Sequence, residues 1–101
     1  MLLKQDLKIV SFNIRKHSIY EKWFLSANVK TRYGSSMILL DSKIADYFNL
    51  TFDCFCKRLE SYGGIKRSNI RIYFNSIEEI QSVVDNYLMS LLVMEKLLSD
   101  I

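Results

Sequence analysis

Apolar and polar residues divide the chain into stretches of different period. Leu7, Ile9, Phe12 and Ile14 stand among Lys8, Ser11 and Asn13 in loose alternation, which with their β-branched members predicts a strand within 2–14. Arg15-Lys16-His17-Ser18 is a polar, basic break. Trp23-Phe24-Leu25 then leads into Ala27, Val29, Thr31 and Tyr33 at a spacing of two, so a second strand is expected within 20–33. Lys22, Lys30 and Arg32 fall on its opposite, solvated face. A short helix over 18–26 is the competing reading. Gly34-Ser35-Ser36 reads as a turn and Met37-Ile38-Leu39-Leu40 as a short apolar strand, giving a hairpin across Gly34.

At Asp41 the period changes to that of a helix. Asp41 and Ser42 are expected N-caps for a helix with Ile44, Ala45 and Phe48 on one face. Asn49 tolerates the left-handed conformation of a sharp turn. Thr51 caps a second helix carrying Phe52, Phe55, Cys56 and Leu59, and Gly63-Gly64 ends it. Ile70, Ile72 and Phe74 alternate with Arg71 and Tyr73 and predict another strand. Ser76 and Glu79 form a capping box that opens a long helix, with Ile77, Ile80, Val84, Tyr87, Leu88, Leu91, Met94 and Leu98 along one side. Val83, Leu92, Val93, Leu97 and Ile101 widen that stripe beyond the need of one small core. Either the sheet wraps the helix or its last turns dock onto a second copy. The second reading makes Leu91, Leu92, Met94 and Leu98 a homodimer interface.

Residues 41–64 resemble the helix-turn-helix of small DNA-binding regulators. Ala45 is the small residue midway along the first helix, with Ile44 before it and Phe48 three on; Leu50 and Phe55 fill further core positions. Asn49 replaces the usual turn glycine, and Arg58 stands where an apolar residue is usual. The next segment, with a glycine pair, Lys66 and Arg67 at a basic tip and Arg71 on the succeeding strand, looks like the wing of a winged helix. With the elements read along the rest of the chain, the expected fold is an α+β domain: an N-terminal β-hairpin or small sheet, a helix-turn-helix, a wing-like strand and a long C-terminal helix. The resemblance itself covers about residues 41–74. It implies binding of duplex DNA through Thr51, Lys57, Arg58, Lys66, Arg67 and Arg71. Asp53 and Glu60 oppose phosphates. A purely structural helix pair is the alternative for this stretch.

Composition narrows the classes. A chain of 101 residues, half of them hydrophobic, supports one compact domain over 1–101. Proline is absent and only three glycines occur. No apolar run reaches a membrane span and Lys4, Asp6 and Lys8 interrupt the first one, so a cytoplasmic protein with no membrane association is expected. Heavy use of Ile, Asn, Lys and Tyr suggests an AT-rich genome, bacterial or viral, and the size suits a regulator or accessory factor of a phage or mobile element. Net charge is +3, divided unevenly: residues 1–40 carry +5 and residues 72–101 carry −4. A basic front half suits an anionic partner.

Other chemistry finds few residues. Cys54 and Cys56 lie two apart on one helix, where a disulfide would be strained, and His17 is the sole histidine, too few ligands for zinc. No phosphate loop, nucleophile elbow or dinucleotide fingerprint occurs, so no enzyme, catalytic residue, cofactor or metal is expected. Arg15, Lys16 and His17 with Lys22, Lys30 and Arg32 could form a second phosphate-contacting face, with Tyr20, Trp23 and Tyr33 for stacking on a single strand. The plain alternative is a solvated strand face, with Trp23 and Phe24 in the core. For the chain as a whole the rival to DNA binding is a protein-interaction module, an inhibitor or adaptor using its apolar C-terminal helix.

Overall fold

The computed structural model of the chain describes residues 7–66 and 71–99. It is an α+β fold in which helices cover one face of a small antiparallel sheet. The organising strand is β2 (Trp23–Thr31), so the segment 18–26 contributes to a strand and not to a helix. Its whole length pairs with β1 (Leu7–Lys16), from Leu7 opposite Thr31 to Lys16 opposite Trp23, with a bulge between Ile9 and Ser11. Its other edge is shared. Ala27 to Lys30 pair with β3 (Ser36–Leu39) across the Gly34 turn, while Trp23 and Phe24 pair with Tyr73 and Phe74. The last two belong to the closing strand of a hairpin, β4 (Ile65–Lys66) and β5 (Ile72–Phe74). Expected strand residues before Leu7, and Ile70, lie outside the described residues.

Alternation along these strands selects the buried face. Ile9, Leu25, Ala27, Val29 and Leu39 are buried there, joined by Phe74 and Ile72 from the hairpin. Against them pack α1 (Asp41–Tyr47), α2 (Phe52–Glu60) and a continuous helix over 77–99. The first gives Ile44 and Ala45 to the core, the second Phe55, Cys56 and Leu59. Asn49 is left-handed, at φ 60°, and Leu50 N–H turns back to Ala45 O at 2.9 Å. Thr51 Oγ1 then accepts from Cys54 N–H at 3.2 Å. Gly63, at φ 106°, closes α2; a Cβ there would stand 2.0 Å from Glu79 Oε2.

The start of α1 differs from expectation. Leu40 occupies the N-cap position, with no side-chain cap bond. Asp41 lies inside the first turn, completely buried, and its Oδ2 accepts the N–H of Ile72 at 2.8 Å. The acid ties the helix to β5 because that amide faces the helices and needs an acceptor within the core. Its burial pushes its pKa up to about 7, against the lowering effects of the Ile72 amide and the Arg71 guanidinium.

The long helix begins at its capping box: Glu79 N–H meets Ser76 Oγ at 3.3 Å, and Ser76 N–H meets Glu79 Oε1 at 3.1 Å. Its apolar stripe is shifted. After α3 (Ile77–Val83) comes a π turn (Val84–Leu88), then α4 (Met89–Ser99). The wider turn rotates the remainder of the helix, so Val83 and Leu88, five apart, are both fully buried; Ile77, in the first turn before it, is exposed. No helix among the described residues is long and apolar enough to cross a membrane.

Candidate nucleic-acid interface

The outward side of α2 follows from its amphipathicity. With Phe55, Cys56 and Leu59 buried, Asp53, Cys54, Lys57, Arg58, Glu60 and Ser61 face solvent. Lys57 and Arg58 lie in the last turn, where cations interact favourably with the helix carbonyl end. The Arg58 guanidinium sits 5.5 Å from the centre of the Tyr87 ring, so the long helix props this side chain. Burial raises the Tyr87 pKa while Arg58 opposes the rise.

The β4–β5 hairpin delivers Lys66 to the other end of α2. Its Nζ lies 4.0 Å from Asp53 Oδ1 and 5.5 Å from the centre of the Phe52 ring. Both ion-pair partners are exposed enough that the pair adds little to stability. It does show where the hairpin stands, beside the first turn of α2. Asp53, Lys57 and Glu60 follow one another at helical spacing on the side of α2 that meets Lys66, whereas Arg58 lies on the Tyr87 side.

Thr51 and Arg71, also expected here, have different places. Thr51 is exposed, but its hydroxyl is engaged as the α2 cap. Arg67 lies outside the described residues. Arg71 does not flank the hairpin edge: its guanidinium lies 4.5 Å from the centre of the Phe24 ring, on the sheet. Phe24 and Tyr73 are paired across β2 and β5, and Arg71 precedes β5, which carries it to that surface. Sequence order places it with Lys66; only the strand pairing reveals Phe24 as its neighbour.

The apolar end of the long helix forms a separate surface. Met94 and Leu98, expected at a dimer interface, are 57% and 70% exposed, and Val93 and Leu97 are exposed beside them. Leu91 and Leu92 are half-buried and pack against the core. Tyr47, Phe48 and Asn49 face Leu91, Met94 and Leu98 across a groove of about 330 Å³. There Tyr47 donates its hydroxyl to Glu95 Oε1 at 2.6 Å and accepts from Ile9 N–H at 3.2 Å. Neither sequence position signals this contact, since the partners are remote in the chain.

Cys54 is exposed and Cys56 buried, both as free thiols, and burial pushes the Cys56 thiol up. Among the described residues no three His, Cys, Asp or Glu side chains gather to hold a metal ion. No protein-family model matches the chain, nor does any curated protein or solved structure.

Proposed function

We propose that this chain is a small, cytoplasmic, non-enzymatic DNA-binding protein that acts as a homodimer. The observation that carries the reading is the position of Lys66, over Phe52 and beside Asp53, which brings the hairpin to the first turn of α2 and in line with Lys57 as a cationic edge. A helix pair with a left-handed turn, a capped second helix and an immediately succeeding basic hairpin supports the winged-helix resemblance. On this reading α2 approaches the major groove with Lys57 and Arg58 outermost, and Lys66 meets a flanking phosphate. Docking through Leu91, Leu92, Met94 and Leu98 would pair two copies on half-sites about 34 Å apart. A regulator or accessory factor of a phage or mobile element suits the size.

The test is titration of a labelled random-sequence duplex at several salt concentrations, with mass by size exclusion alongside. Affinity should fall steeply with salt, and Lys57→Ala with Arg58→Ala should lower the salt slope by about two phosphate contacts. Asp53→Asn should tighten binding several-fold by removing the carboxylate from the cationic edge. No binding at low salt sinks the proposal.

The exposed apolar residues of α4 favour a second reading, a protein-interaction module with no nucleic-acid role. There, changes at Leu92, Val93 and Leu97 disrupt the activity and changes at Lys57 and Arg58 do not.

A further inference from the structure

We propose that the open face of the sheet, opposite the helices, is a binding surface for single-stranded nucleic acid. It is separate from the edge formed by α2 and the hairpin, and it stands whether or not that edge binds DNA.

Strand register defines the surface, because directly paired residues share a face. One row is Lys8, Lys30 and Ser36; the next is Ser11, Asn28 and Ile38. Asn13 pairs with Ser26, and Arg15 leads through Phe24 to Tyr73. The Asn28 amide donates to Ser11 Oγ at 2.9 Å, which places both side chains on this side. None of β1, β2 and β3 contains an acidic residue. Lys8, Lys30 and Arg15 are all exposed. Lys8 and Arg15 stand on the order of 20 Å apart along β1, a span of several nucleotides.

At the Arg15 end the surface becomes aromatic. Tyr20 is 62% exposed, and its ring lies 4.7 Å from His17 and 6.0 Å from Tyr73. Arg71 covers Phe24. The turn carrying Tyr20 is held from both sides. His17 Nδ1 accepts the amides of Ile19 and Tyr20 at 3.2 and 3.3 Å, and the Lys22 ammonium reaches the Asn75 side chain. The structure thus offers an exposed, positioned ring and a guanidinium plane beside a row of cations. Cations neutralise any nucleic acid, but stacking on a ring requires the face of an unpaired base. That requirement selects a single strand over a duplex, and over an acidic peptide. Trp23 takes no part, since its parity puts it on the core side with Leu25.

The experiment is fluorescence anisotropy of a labelled twelve-thymidine strand against the full chain, with an equal-length duplex and poly-glutamate as competitors. The strand is expected to bind, and Lys8→Glu with Lys30→Glu to abolish binding. Tyr20→Ala should weaken it by roughly tenfold, and Tyr20→Trp should restore it. Circular dichroism confirms that each variant is folded. Lys57→Ala with Arg58→Ala should leave strand affinity unchanged, so this proposal and duplex binding through α2 fail separately. The proposal is overturned if the strand does not bind, if Tyr20→Ala binds as tightly as the parent, or if poly-glutamate or the duplex displaces the strand as well as unlabelled strand does.

Discussion

The two ends of α1 use the same device with different completeness. At its start, Asp41 catches the Ile72 amide of β5; at its end, Tyr47 catches the Ile9 amide of β1. One short helix thus pins both outer parts of the sheet. Tyr47 also donates to Glu95, so its hydroxyl serves as acceptor and donor together. Asp41 has the opposite condition: Oδ1 is buried and has no hydrogen-bond partner among the described residues. A satisfied polar group in the core contributes stability, whereas a half-satisfied one carries an uncompensated desolvation cost. The satisfied end anchors the long helix. The half-satisfied end supports the β4–β5 hairpin and, through Ile72, the segment bearing Arg71.

The largest effect expected from this difference is a pH dependence at Asp41. Its pKa rises from the ordinary 3.8 to about 7 in the folded chain, chiefly through burial. The native state therefore holds the proton more tightly than the unfolded state. The resulting stability is present in full below the unfolded pKa and is lost as pH climbs through the folded one. Asp41→Asn keeps an oxygen for Ile72 N–H and cannot ionise. Urea denaturation should show the parent weakening between pH 4 and 8 and the variant nearly flat, with the variant more stable at pH 8 by on the order of a few kcal/mol. An unchanged slope in the variant would mean that Asp41 ionises without cost, and the contrast between the two ends would disappear.

Tyr47→Phe probes the satisfied end. It leaves the Ile9 amide without an acceptor next to the β1 bulge and Glu95 without its donor. The expected loss is about 1–3 kcal/mol in denaturation, smaller than the swing at Asp41. Amide exchange should accelerate first at Ile9 and along α4, while the hairpin side stays protected. Acceleration spread evenly over the chain would show that Tyr47 holds no particular region.

These ties also mark where the sequence stops being readable. The features it displays are closed within a few residues: the left-handed Asn49, the Thr51 cap bonded to Cys54, and the Ser76–Glu79 box. Each needs only local chain geometry, so composition at fixed spacing is enough to signal it. Asp41 looks like a cap for the same reason, yet its partner is 31 residues away. The π turn is equally hidden, because a residue-by-residue stripe assumes one helical period throughout. The basic residues divide in the same way. Lys57 and Lys66 can be placed by sequence order, but Arg71 changes surfaces once β5 pairs with β2 beside Phe24.

The smallest effect, and the finest test of the comparison, is Glu95→Gln. Glutamine retains an oxygen that can accept from the Tyr47 hydroxyl, so the cost in stability should stay below about 1 kcal/mol. The titration of Tyr47 should nevertheless move. Its pKa is pushed up to about 12, first by burial and then by the hydrogen bond and charge of Glu95, while the Ile9 amide opposes the rise. Removing the charge should bring that value down, without returning it to normal, since burial remains the leading cause. Ultraviolet titration of tyrosinate, with Tyr47→Phe as the reference that identifies the signal, reads this directly. If the Tyr47 signal stays where it was, Glu95 does not hold the hydroxyl in solution. The last turns of α4 would then lose this polar anchor to α1, and with it the fixed presentation of Met94 and Leu98 that a symmetric dimer requires.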